Sequence, residues 1–143
     1  MFYDELVQVA QTVWESMLES ELIPVPQQPE DVSLGLEAEV QVSGAWNGIV
    51  ITSCRESLAR RLAAKLLMTD PESVQESQLR DSLAEITNML GGGIKALFSG
   101  ECKLSLPSVV AAQFGTDPAS ELVDRVFFDW EGEPFRLELR RAI

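Results

Sequence analysis

The sequence predicts a single-domain α+β fold, a sandwich of antiparallel strands and long helices. Apolar residues recur every three or four positions at the front and middle of the chain, which is typical of amphipathic helices. Between and after these segments apolar and polar residues alternate with a period of two, which is typical of strands. The length of 143 residues is that of one domain. Helices that alternate with hairpins favour a helix-covered antiparallel sheet over a doubly wound one.

The first predicted element is an amphipathic helix over residues 4–21. Leu6, Val9 and Val13 lie at helical spacing on its apolar stripe. Three prolines in "IPVPQQPED" cannot continue the helix. Residues 22–33 are therefore predicted to form an extended Pro-rich connector within the domain 1–143.

The segment 34–54 is predicted to be a β-hairpin. "LGLEAEVQV" alternates apolar and polar residues, as expected for a strand with one solvent-exposed face. The turn "SGAWNG" leads into "IVITSC", which is mostly apolar. We expect the second strand to pair antiparallel with the first and to lie deeper in the sheet.

Two more helices and a group of strands complete the predicted order. The helices cover residues 55–68 and 74–98, and the strands lie within 102–142. The strand segments are "CKLSLPSVVAAQF", "LVDRVFFDW" and "FRLELRRA", with the turn "EGEP" between the last two. "GTDPASE" is expected to be a solvated loop before the second of them.

The composition limits the partners and the location of the protein. Eleven basic residues oppose 23 acidic ones, a formal net charge of −12 that repels nucleic acid and anionic membrane surfaces. Cys54 and Cys102 form no CxxC pattern, which suits a reduced cytosolic protein without a zinc site. The N-terminus is acidic and no apolar run reaches the roughly 18 residues of a membrane span. We expect a cytoplasmic protein.

The chain contains no histidine. This excludes Ser-His-Asp and Cys-His catalysis as well as every His-based metal site. Scattered carboxylates show no metal-ligand spacing, so we expect no cofactor of its own. Any catalysis must use carboxylates, amides, lysine or a metal that a partner supplies.

The helix predicted at 74–98 has two distinct faces. One is an apolar stripe for the core, comprising Leu79, Leu83, Ile86, Leu90, Ile94 and Leu97. The other lies some 200° around the helix and comprises Asp81, Glu85, Asn88, Gly92 and Lys95. Glu85 and Asn88 place a carboxylate and an amide side by side, one turn apart. Such carboxylates are often merely solubilising, and this alternative is strongest for Asp81.

Three consecutive glycines, Gly91–Gly93, follow this pair. Glycine is costly within a helix, so the triplet requires a reason. It would leave the backbone bare for close approach by another protein. Alternatively, it lets the helix pack against a neighbour, or it marks a break into two helices.

"LAEITNMLGGGIKALF" resembles the signature helix of the CheC/CheX class of chemotaxis phosphatases. In that class an acidic residue precedes an asparagine by three positions, and a glycine and often a lysine follow. An Asp or Ser often lies four positions before the acid. The matching residues here are Asp81, Glu85, Asn88, Gly92 and Lys95. The class usually has a single glycine where this chain has three, and we expect an early break or a hinge there.

Two other segments carry the same resemblance. "LPSVV" with Pro107 is similar to a strand-like segment of the class, and "GAWNGIVITS" is similar to its "GxWxGxVxL" hairpin through Gly44, Trp46, Gly48 and Val50. The resemblance thus covers nearly the whole chain in order. A single acid and asparagine pair, together with the length, favours a CheX-like member over the two-site CheC type.

The resemblance implies an aspartyl-phosphate phosphatase that acts on the receiver domain of a response regulator. Asn88 would position the attacking water, Glu85 would dock the receiver, and Asp81, Gly92 and Lys95 would line the contact. The receiver would supply its own Mg²⁺. The resemblance also implies a homodimer, for which "LELRRA" or "VVAAQF" offers an edge strand; Arg136, Arg140 and Arg141 would equally keep such an edge apart.

Two other functions remain open from the sequence. A receiver-binding module of the same fold would grip its partner without hydrolysis. A small, acidic secretion chaperone would have similar size and charge. The chaperone has no use for Glu85 beside Asn88 on an exposed glycine-rich helix, and it predicts a binding surface on the sheet.

Overall fold

The computed structural model describes residues 2–26, 34–111 and 120–143. Three α-helices and seven strands are formed there. The helices are α1 (Tyr3–Leu18), α2 (Glu56–Leu67) and α3 (Glu76–Lys95), with a short 3-10 turn at Pro71–Ser73. The strands are β1 (Ile23–Val25), β2 (Leu36–Gly44), β3 (Gly48–Cys54), β4 (Cys102–Leu104), β5 (Ser108–Ala111), β6 (Ser120–Trp130) and β7 (Glu133–Ala142).

All described strand pairs are antiparallel and belong to one sheet. The order is β1-β6-β7-β3-β2-β4, and β5 pairs with β2 beside β4. β2 and β3 form the predicted hairpin, with Val40 opposite Val50, and β3 lies inside the sheet as expected. The predicted hairpin around "EGEP" is confirmed as β6 and β7. The α+β class with antiparallel strands and long helices is therefore confirmed.

One predicted edge strand is wrong. "LELRRA" belongs to β7, which lies between β6 and β3 in the interior of the sheet. Arg140 from this strand is buried and donates to the Ser120 hydroxyl at 2.9 Å. The Glu138 carboxylate lies between Arg125 and Arg140 and forms salt bridges with both guanidinium groups. The arginines of β7 hold the sheet together and do not guard an edge.

The core lies between the helices and one face of the sheet. Alternate residues of the central strands point to it, including Val40, Val50 and Leu137, all fully buried. Trp14 of α1 contacts the rings of Trp130 and Phe135, with centroids 5.8 and 4.8 Å apart. This burial fixes α1 against the hairpin of β6 and β7. No helix within the described ranges has the length and apolar character needed to cross a membrane.

Two element predictions need correction. The Pro-rich connector contains β1, whose Ile23 and Val25 pair with Asp129 and Phe127; a proline is tolerated there because β1 is an edge strand. The segment from Cys102 is not one strand but two, β4 and β5, which both pair with β2. Most of the predicted loop "GTDPASE" lies outside the described residues.

Candidate functional site

α3 carries the predicted site and is one continuous helix. At its start Gln75 and Gln78 form a capping box, in which the Gln75 backbone N–H donates to Gln78 Oε1 at 2.9 Å. The helix then runs unbroken to Lys95, through all three glycines. The expected break or hinge is therefore wrong. The apolar stripe is buried as predicted from Leu79 to Ile94.

The glycine triplet serves two purposes. A methyl group on Gly91 would lie 2.7 Å from Val40 Cγ1 on the sheet, and one on Gly93 would lie 2.6 Å from Val9 Cγ1 of α1. These two glycines let α3 pack closely against its neighbours. Gly92 alone of the three has no described atom within 4 Å of a methyl group placed there. Of the three glycines, Gly92 thus leaves the most room for a partner to approach the helix backbone.

A buried hydroxyl pair fixes the turn of α3 that carries Asn88. Thr87 Oγ1 lies 2.7 Å from Thr52 Oγ1 of β3 and donates to the Leu83 carbonyl at 2.7 Å. Both threonines are fully buried. Because a buried hydroxyl without a partner is costly, this pair holds the rotation of α3 relative to the sheet. This pair was not predicted from the sequence, although a polar residue at an inward position of each element was the signal.

The five predicted site residues lie together on the outer face of α3. Asp81 and Glu85 are exposed, whereas Asn88, Gly92 and Lys95 are half-buried. In the described part of the chain, neither the Glu85 carboxylate nor the Asn88 amide has a hydrogen bond or ion pair. Side chains three residues apart on a helix are neighbours, about 5–6 Å between Cβ atoms. An unpaired carboxylate and an unpaired amide are thus presented jointly to solvent.

The surroundings favour a protein partner over a small ligand. Two open grooves, of about 590 and 470 Å³, lie away from this face. One is beside the end of α1 at Glu15 and Glu19, and the other is between Met68 and Trp130. No residue of α3 lines either groove, which favours a partner that covers α3 over a ligand held in one of the grooves.

Neither cysteine belongs to the site. Burial raises the pKa of the Cys54 thiol to about 12, with the charge of Glu133 as a smaller cause, so this thiol stays protonated at neutral pH. Cys102 is half-buried in β4. Among the residues with described positions, no cluster of three or more His, Cys, Asp or Glu side chains is arranged to hold a metal ion.

Comparison with protein families gives a match over most of the site and sheet. The model of the family described as chemotaxis phosphatase CheX matches residues 37–124, which include all of α3. A search of curated proteins gave no match.

Solved structures with the same fold cover almost the whole chain. A CheX chemotaxis protein from Desulfovibrio desulfuricans superimposes with a TM-score of 0.79 at 19% identity, covering 96% of this chain and 97% of its own. CheX from Vibrio vulnificus gives a TM-score of 0.76 at 21% identity, covering 97% and 95%. A CheX from Borrelia burgdorferi, solved in complex with CheY, BeF3 and Mg²⁺, gives 0.75 at 18% identity, covering 99% of both chains.

Proposed function

This chain belongs to the CheX chemotaxis phosphatase family, and from that premise we propose that it hydrolyses the aspartyl phosphate of a CheY-like receiver domain. One observation carries the proposal. Glu85 and Asn88 lie one turn apart on the exposed face of α3, with no partner among the described residues. A buried core and the Thr52 contact hold that face in place. Polar groups held rigid and left unpaired are suited to receive a protein surface.

Asn88 is proposed to position the attacking water. Its carbonyl oxygen accepts a hydrogen bond from the water and holds the oxygen in line with the phosphorus. Attack forms a new P–O bond and breaks the bond to the aspartyl oxygen, which leaves as a carboxylate. The proton of the water departs with inorganic phosphate. Acyl phosphates are reactive, so positioning is sufficient and the absence of histidine is no obstacle.

Glu85 is proposed to dock the receiver through an ion pair with the lysine beside its phosphorylation site. An exposed ion pair contributes little, but one that is desolvated at an interface fixes orientation. Asp81 and Lys95 flank the contact on the same face. Gly92 leaves room for the receiver loops to approach the helix backbone.

The remaining requirements come from the partner. The receiver supplies the Mg²⁺ that neutralises charge on the phosphoryl group. The crystal structure of the Borrelia burgdorferi CheX was solved as a complex with CheY, BeF3 and Mg²⁺, which supports the proposal that the metal ion comes with the receiver. We further propose that the protein acts in the cytoplasm as a homodimer; sedimentation at the mass of two chains would support the dimer, and sedimentation at one would contradict it.

Measuring the rate of dephosphorylation at increasing receiver concentrations separates the docking role of Glu85 from turnover. The probe is the CheY-like receiver of the same organism, phosphorylated with acetyl phosphate. We expect Glu85→Ala to raise the half-saturating receiver concentration by roughly 30-fold, since losing one partner of a desolvated pair costs about 2 kcal/mol. Glu72→Ala, another exposed carboxylate, is the matched control and leaves it unchanged. Equal effects of the two variants would contradict the docking role.

A further inference from the structure

The connection between β4 and β5 contains a β-bulge. Leu104 pairs with Val42 of β2, whereas Ser108 pairs with Glu39, so the register shifts by one residue between the two strands. Leu106 and Pro107 together lie opposite the single residue Val40. Pro107 has no N–H to donate, which suits this unpaired position. Bulges of this kind redirect side chains, and they are frequent beside active sites.

The bulge presents an apolar side chain on a rigid support. Leu106 is 90% exposed. The residue before it is held from both sides, because Ser105 N donates to the Gln41 carbonyl at 2.9 Å and Ser105 Oγ accepts from Gln41 N at 2.9 Å. Ser105 Oγ also donates to the Leu106 carbonyl. Leu106 is therefore exposed in a fixed position and not on a free loop.

Contacts at two points place the bulge alongside the part of α3 that carries Glu85 and Asn88. On one side Arg80 Nη1 lies 3.5 Å from the Val109 carbonyl. On the other, a methyl group on Gly91 would lie 3.5 Å from Leu104 Cδ2.

The distance between the two contact points is the same along α3 as along the segment from β4 to β5. Arg80 and Gly91 are separated by about 16 Å of helix, and Leu104 and Val109 by about 16 Å of extended chain. The two segments run in opposite directions, so the middle of one lies beside the middle of the other. Leu106 is thus level with Glu85 and Ile86 on α3.

We propose that Leu106 is the apolar anchor of the receiver-docking surface, inserted into an apolar patch of the receiver next to its phosphorylation site. The proposal rests on the function proposed above. A surface with only Asp81, Glu85, Asn88 and Lys95 offers polar contacts alone, whereas protein interfaces are stabilised mainly by a few buried apolar anchors. Leu106 supplies such an anchor at the edge of the sheet, level with the catalytic pair along α3.

A second copy of this chain is the less suitable occupant. β4 and β5 are three and four residues long and are interrupted by the bulge, and short, bulged strands of this type resist edge-to-edge pairing. The position of Leu106 alongside the middle of α3 favours the molecule that covers α3. This molecule is the receiver.

The test compares receiver binding by the wild type, Leu106→Ser and a matched control, Met68→Ser. Met68 is 93% exposed at the end of α2, away from α3. The probe is the CheY-like receiver of the same organism loaded with Mg²⁺ and beryllofluoride, which stands in for the phosphoryl group. We expect Leu106→Ser to raise the Kd at least tenfold, which corresponds to the burial of a leucine side chain. Met68→Ser leaves the Kd unchanged.

Each other outcome overturns the proposal, and the outcomes are distinguishable. If Leu106→Ser binds like the wild type, the anchor is refuted while the proposed phosphatase function stands. If the wild type binds no receiver, both are refuted. If Leu106→Ser converts a dimer to a monomer in sedimentation and the Kd is unchanged, Leu106 is a contact between two copies.

Discussion

Alanine substitutions in the glycine triplet should change the free energy of unfolding in opposite directions. At Gly92 a methyl group meets nothing within 4 Å, so the variant gains the full helix preference of alanine, about 0.5–1 kcal/mol. At Gly91 the methyl group would lie 2.7 Å from Val40 Cγ1, against a normal contact of about 3.5–4 Å. Val40 is fully buried and β-branched, so it has little freedom to move.

The magnitude at Gly91 follows from overpacking. Forcing extra volume into a packed core costs about 1–3 kcal/mol. Subtraction of the helix gain leaves a net destabilisation of about 1 kcal/mol for Gly91→Ala. Gly93→Ala meets Val9 at 2.6 Å, but Val9 is half-buried on α1, so its effect should fall between the other two.

Urea unfolding measures these differences directly. We expect a higher midpoint than the wild type for Gly92→Ala, a lower one for Gly91→Ala and similar slopes for all variants. If Gly91→Ala is as stable as Gly92→Ala, the distinction between packing glycines and an open glycine is refuted. Gly92→Leu extends the test to function: it should fold but weaken receiver binding at least tenfold, whereas Thr12→Leu on the exposed face of α1 should not.

Two other predictions concern buried groups. Thr87→Val should lower the free energy of unfolding in urea by about 1–3 kcal/mol, because it leaves the buried Thr52 hydroxyl without its partner. Adding Thr52→Val should recover much of this loss, and a double variant no more stable than Thr87→Val would contradict the pairing. At pH 8 iodoacetamide should label Cys102 before Cys54, whose pKa of about 12 keeps it protonated; equal rates would contradict its burial. Because burial raises the pKa of Cys54 from 9.0 to about 12, the thiol ionises at lower pH in the unfolded chain than in the folded one. The contribution of the neutral thiol to stability is therefore complete below pH 9 and is lost as the pH rises towards 12.

Local patterns in the sequence were sufficient to predict the site helix. The period of its apolar stripe defines which residues are buried, and this places Glu85 and Asn88 on the exposed face without knowledge of the sheet. The hairpin of β2 and β3 was predictable for the same reason, since alternation and a turn are properties of adjacent residues.

Features that depend on distant residues were not predictable. Ile23 and Val25 form a strand only because β6 offers an edge beside them. The bulge at Leu106 arises from pairing of two short strands with one long one, and a period of two cannot reveal a shift of register. The roles of Gly91 and Gly93 depend on side chains far away in the sequence, so three identical residues have different functions.

The most direct test of the proposed function is the rate of phosphate release from the phosphorylated receiver at saturating concentrations of the wild type and of Asn88→Ala. We expect the wild type to accelerate release and Asn88→Ala to lose about 100-fold of that acceleration while still binding the receiver, because only the positioned water is lost. If Asn88→Ala accelerates release as well as the wild type, hydrolysis does not depend on a water held by Asn88, and the proposed mechanism is wrong.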